Sequence, residues 1–213
     1  MIVPMQDCCE IRAIPERQRR VLVVVLCINA VMFVGELGAG LLAHSTALLA
    51  DSVDMLGDAI VYGFSLYVVA RGARWQARAA VLKGGIMAMF GAGVLIEVAI
   101  KILDGVTPAA DVMSGVGIIA LAANVVCLWL LWRHKDDDVN MGSAWLCSRN
   151  DVVANAGVLL AAAAVALTGS AWPDVAIGLV IASLFGISAV KVLRDGLVDV
   201  TVRDPANSRR AIP

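Results

Sequence analysis

Charge is scarce in this chain. Asp, Glu, Lys and Arg together make up 16 % of its 213 residues, against roughly a quarter in an ordinary soluble domain. Hydrophobic residues account for 60 % and the mean hydropathy is +0.84, so the expected solvent is a lipid bilayer. The net charge of −1 offers no basic surplus, and no nucleic-acid partner is expected. A glycine-rich nucleotide loop is missing, since the glycines are scattered through apolar runs. A disulfide framework is missing too. The five cysteines stand at 8, 9, 27, 127 and 147; the count is odd, Cys8 and Cys9 are adjacent, and the other three lie in or beside apolar runs. No small-residue cleavage site follows the first apolar run, so no cleavable leader is expected. Without a nucleophile–base pairing the chain does not read as an enzyme, and no resident cofactor is expected.

What the chain does have is long apolar stretches. A spanning helix needs about 20 apolar residues. Six stretches qualify, at 20–42, 46–70, 79–102, 112–132, 144–167 and 174–193. The expected fold class is all-α, a polytopic membrane protein with six transmembrane helices. Lys and Arg alternate along the connectors. Arg12, Arg17, Arg19 and Arg20 precede the first span, "HST" at 44–46 has no base, and Arg71, Arg74 and Arg78 follow the second span. The 104–111 connector again has none, "RHKDDD" carries Arg133 and Lys135, "GSAWPD" has none, and Arg194, Arg203, Arg209 and Arg210 close the chain. Positive residues mark the cytoplasmic side, so both termini are expected there. The predicted layout is a cytoplasmic arm over 1–19, a transmembrane unit over 20–193 and a cytoplasmic tail over 194–213. Gly35, Gly38, Ala39 and Gly40 allow close helix contact.

Within the second span lies "LLADSVDMLGDAIVYGF", with Asp51, Asp54 and Asp58. If the span began after Asp58, residues 59–70 would be too short to cross hydrocarbon. Asp54 and Asp58 therefore belong at membrane depth, where a charge costs roughly 2.5–3.5 kcal/mol and normally faces a bundle interior. The three fall within an arc of roughly 60° on a helix. Asp54 and Asp58 are one turn apart, so their carboxylates can converge on one point. Two like charges there require a proton or a cation between them. A helix cap or hydrogen-bond network is the plainer alternative, weightier for Asp51 near its helix end. In the fifth span Cys147 and Asp151 are also four apart, and Asn155 continues their stripe. Arg149 lies about 160° round the helix from Asp151. Two such pairs supply four oxygen and thiolate ligands, a set that suits Zn(II) and similar ions in tetrahedral geometry.

These residues resemble the cation diffusion facilitator family. "HSTALLADSVDMLGDA" is similar to its second-helix signature and "CSRNDVVANAGVLLAA" to its fifth helix. Asn29, Phe33, Glu36 and Gly40 resemble its first helix and "WPDVAIGLVIASLFGISAVKVLRDG" its sixth, so the likeness covers roughly residues 20–198. The resemblance implies a metal site of Asp54, Asp58, Cys147 and Asp151, with Asp51 and Asn155 beside it to orient ligands or relay protons. It implies efflux of divalent cations from the cytoplasm in exchange for protons, by alternating access, with Zn(II) first and Cd(II) second. Zinc members of the family often carry His where this chain has Asp54 and Cys147; the thiolate leans toward soft ions. Members usually carry a cytoplasmic metal-binding domain after the sixth helix, and a short form without it is expected here. A homodimer in the plasma membrane (the inner membrane of a bacterium) is expected. "HKDDD" at 134–138 and "QDCCE" at 6–10 are weaker metal-gathering candidates. An exporter of small organic cations and a non-transporting partner subunit remain as alternatives.

Overall fold

The structure, a computed structural model, describes residues 16–68, 73–136 and 139–202, and those residues form six helices and no strand. In chain order they are α1 (Glu16–Ala43), α2 (Thr46–Val68), α3 (Ala73–Asp104), α4 (Ala110–Trp132), α5 (Val139–Thr168) and α6 (Trp172–Val202). Cys8, Cys9, Asp137 and Asp138 lie outside the described residues.

Each expected span has its helix, but α3, α5 and α6 run well past the apolar stretches read from sequence. Hydrocarbon thickness limits the apolar run, not the helix: the backbone ladder continues into the aqueous boundary wherever propensity allows. Five helices contain stretches long and apolar enough to cross a membrane, namely Arg19–Ala43, Gly84–Asp104, Ala110–Trp132, Ala144–Thr168 and Trp172–Lys191. The helix outside that set is α2, whose three aspartates stand within eight residues of one another. Leu42, Leu103 and Leu167 are 83, 84 and 87 % exposed. In water such a surface would aggregate; against lipid it is the expected outer face.

The helices associate chiefly as α1 with α2, α3 with α6 and α4 with α5, while α2 also touches α3, α5 and α6. A large apolar core formed by Leu48, Leu49, Val53, Met87, Val158 and Phe185, among others, joins α2 to α3, α5 and α6. A second, around Val25, Tyr62, Cys127, Leu131 and Met141, joins α1, α2, α4 and α5.

The helix ends follow local chemistry. Gly105 (φ 65°) and Gly169 (φ 63°) end α3 and α5 in the left-handed region, where glycine carries no Cβ penalty. His44 does the same after α1 at φ 51°, and the Ser45 N–H donates back to the Gly40 carbonyl at 2.9 Å.

Asp174 at the start of α6 satisfies the N-terminus of α2. Its Oδ1 accepts from Ser45 Oγ (2.6 Å) and the Ala47 N–H (3.1 Å). Its Oδ2 accepts from the Thr46 N–H (2.8 Å), Thr46 Oγ1 (2.7 Å) and Lys101 Nζ (2.5 Å). Ser45 Oγ in turn accepts from the Leu48 N–H at 3.2 Å. The first N–H groups of a helix have no partner of their own, and here they find one across the bundle. Lys101 also donates to the His44 carbonyl. Gly178 makes the approach possible: a Cβ there would stand 2.8 Å from the Thr46 carbonyl carbon.

Candidate functional site

Buried polar groups occur on all six helices, but the unsatisfied ones are confined to four among the described residues. Among the described residues, the buried side-chain N and O atoms that lack a hydrogen-bond partner all lie on α1, α2, α4 and α5. They are on Asn29, Glu36, Asp51, Asn124, Trp145 and Asn155. An unsatisfied buried polar group costs about 1–3 kcal/mol. A concentration of them along one seam marks a place kept polar at the expense of stability.

Asp58 of α2 and Cys147 and Asp151 of α5 are all buried, and Asp54 is half-buried. Spacing explains why α2 presents Asp54 and Asp58 on one side: positions four apart share a helix face. Tyr62, one turn beyond Asp58 on that same face, donates its hydroxyl to Asp58 Oδ2 at 3.0 Å. Around Tyr62 the α2 and α5 residues come together, since Asp58, Cys147 and Asp151 all lie within electrostatic reach of its hydroxyl. Asn155 donates from Nδ2 to the Asp151 main-chain carbonyl at 3.0 Å, which leaves its buried Oδ1 without a donor.

Asp54 also has acidic neighbours. Glu36 of α1 and Asp51 of α2 are fully buried, and Asp54 lies within electrostatic reach of both. The Glu36 and Asp51 carboxyl groups are neighbours across the α1–α2 contact. Among the described residues, no N–H or O–H reaches any of their four oxygens.

In this conformation, no group of three or more His, Cys, Asp or Glu side chains among the described residues is arranged to hold a metal ion as it stands. Asp58, Cys147 and Asp151 lie within electrostatic reach of Tyr62, and Asp54 within reach of Glu36 and Asp51. His134 is partly buried in the turn after α4.

Sequence reading passed over Tyr62, which donates to Asp58, and the buried Asn124 and Cys127 of α4. For Tyr62 the signal was available, because it follows Asp58 by four. For Asn124 and Cys127 only the burial of that face of α4 reveals them.

The description "Cation efflux transmembrane domain" belongs to the family whose profile matches residues 22–200. A protein of Bacillus velezensis named "Cadmium, cobalt and zinc/H(+)-K(+) antiporter" is 26 % identical over 201 residues, covering 86 % of this chain and 64 % of that protein. The "Metal cation efflux system protein CzcD" of Cupriavidus metallidurans is 23 % identical over 181 residues, covering 78 % of this chain and 57 % of its own length. The chain thus spans under two thirds of the length of these curated relatives. It is a multi-pass membrane protein, and its relatives are named as antiporters and efflux proteins rather than enzymes. The match over most of the length, together with the carboxylate-bearing α2 facing α5, places the chain in the cation diffusion facilitator, or cation efflux, family.

Proposed function

We propose that this chain exports divalent metal cations, Zn(II) foremost and Cd(II) next, from the cytoplasm in exchange for protons. The cargo is held between α2 and α5 by Asp54, Asp58, Cys147 and Asp151. The observation that carries this reading is the meeting of Asp58 with Cys147 and Asp151 around the Tyr62 hydroxyl, inside the bundle. The name of the Bacillus velezensis relative, with its cadmium, cobalt and zinc, supports the same cargo class.

Coupling follows from ligand chemistry. A divalent cation is bound by deprotonated thiolate and carboxylate, so its arrival expels protons. Protonation from the far side removes the charge that held the cation. A site exposed alternately to the two faces then trades one for the other. Asp51 and Asn155, next to the ligands along α2 and α5, orient them or pass protons. The distribution of Lys and Arg supports cytoplasmic termini. We place the protein in the plasma membrane, as a homodimer, with residues 20–193 as the transport unit.

The test is metal flux in proteoliposomes with an imposed pH gradient, across Zn(II), Cd(II), Co(II) and Mn(II). Zn(II) and Cd(II) uptake that collapses with the gradient supports the proposal. Uptake indifferent to the gradient contradicts the coupling, and no uptake of any metal contradicts the export.

A further inference from the structure

Cys127 sits on α4, which the four-ligand site does not use. It is a free thiol, 1 % exposed. A buried cysteine is ordinarily a small apolar filler, and three features of its surroundings argue against that here. It packs in one cluster with Tyr62, whose hydroxyl holds Asp58. Asp58 itself lies within electrostatic reach of the thiol. A carboxylate is a poor neighbour for a mere filler.

The third feature is Asn124. It lies three residues before Cys127 on the same buried face of α4. Its side chain is fully buried, and neither Nδ2 nor Oδ1 has a partner. That face is turned to α5, because Ser148 Oγ, next to Cys147, donates to the Asn124 main-chain carbonyl at 3.4 Å. Leucine would fill the position without the penalty of about 1–3 kcal/mol for an unsatisfied amide. An amide and a thiol side by side, both unused and both turned to the seam that carries Asp58 and Cys147, fit a polar guest.

We propose that α4 contributes Cys127 as a second sulfur ligand, with the Asn124 amide oxygen beside it, to the cation held between α2 and α5. The inference rests on the metal-export reading above and extends it to specificity. With Cys127 the site offers two sulfurs. Thiolates favour Cd(II) and Zn(II), whereas Mn(II) and Mg(II) prefer an all-oxygen shell. The third helix also gives the site a ligand outside the two helices that sequence spacing identifies.

The experiment is Cd(II) binding to the purified full chain carrying Cys8→Ser, Cys9→Ser and Cys27→Ser, so that Cys127 and Cys147 are the remaining thiols. Binding is followed by the ultraviolet thiolate-to-cadmium charge-transfer absorbance. Replacing Cys127 by Ala or Ser should lower the absorbance per bound ion by about half, because each thiolate contributes its own band. The Cd(II)-over-Mn(II) preference should fall with it. Unchanged absorbance per bound ion, carried by Cys147 alone, overturns the inference while leaving metal export standing. Failure of the parent protein to bind Cd(II) overturns both.

Should either replacement not fold, the unsubstituted thiol is read directly. Cd(II), but not Mg(II), should shield Cys127 from a membrane-permeant maleimide, as measured by peptide mass. Equal labelling with and without Cd(II) overturns the inference.

Discussion

The Tyr62 hydroxyl donates to Asp58 Oδ2 at 3.0 Å, one helical turn away on α2, at the point where Cys147 and Asp151 approach from α5. Tyr62→Phe removes the donor and keeps the ring in its buried slot. Loss of a partner that orients a metal ligand typically weakens binding about 10–100-fold. The expected outcome is a Zn(II) affinity lower by roughly that factor with the unfolding temperature little changed. Calorimetric titration beside a thermal melt checks it.

Lys101 and Asp174 form a buried ion pair between the end of α3 and the start of α6, with side-chain exposures of 2 and 0 %. Removing one partner of such a pair leaves an uncompensated charge, at about 3–5 kcal/mol. Asp174 keeps four donors from Ser45, Thr46 and Ala47, so Lys101→Met should cost about 3 kcal/mol, at the lower end of that range. The double variant Lys101→Met with Asp174→Asn should recover part of the loss. A double-mutant cycle on detergent-solubilised protein measures the coupling.

Gly178 faces the Thr46 main chain so closely that a methyl group must displace one helix from the other. Overpacking against backbone costs about 1–3 kcal/mol. Gly178→Ala should lower stability by that amount and loosen the Asp174 network, whereas Gly186→Ala, with open space around it, should be nearly neutral. Parallel thermal melts separate the two.

Among the described residues no hydrogen-bond donor reaches the neighbouring, buried Glu36 and Asp51 carboxyl groups. Glu36→Gln supplies an N–H to Asp51 and should leave expression and melting near those of the parent. Glu36→Leu orphans Asp51 and should cost about 1–3 kcal/mol. Fluorescence-detected size exclusion before and after heating distinguishes the variants.

The six helices and the pairing of α2 with α5 were legible because lipid imposes long apolar runs, and because carboxylates inside such a run must answer to something. The boundaries of α3, α5 and α6 were not, since apolar counting stops at the edge of hydrocarbon while the helix continues. Lys101 read as an ordinary basic residue beside a connector; only the convergence of α2, α3 and α6 turns it into the buried partner of Asp174. α1 also brings Glu36 within electrostatic reach of Asp54, a relation that no period within α2 encodes. Asn124 and Cys127 sit in an apolar run like any other, and only their surroundings distinguish them.

The most direct test of the central claim is Zn(II) titration of the purified protein beside two variants on different helices, Asp58→Asn and Asp151→Asn. If α2 and α5 share one cargo site, each variant alone abolishes high-affinity binding while the helical fold persists. Wild-type affinity in either variant would contradict a site shared between the two helices.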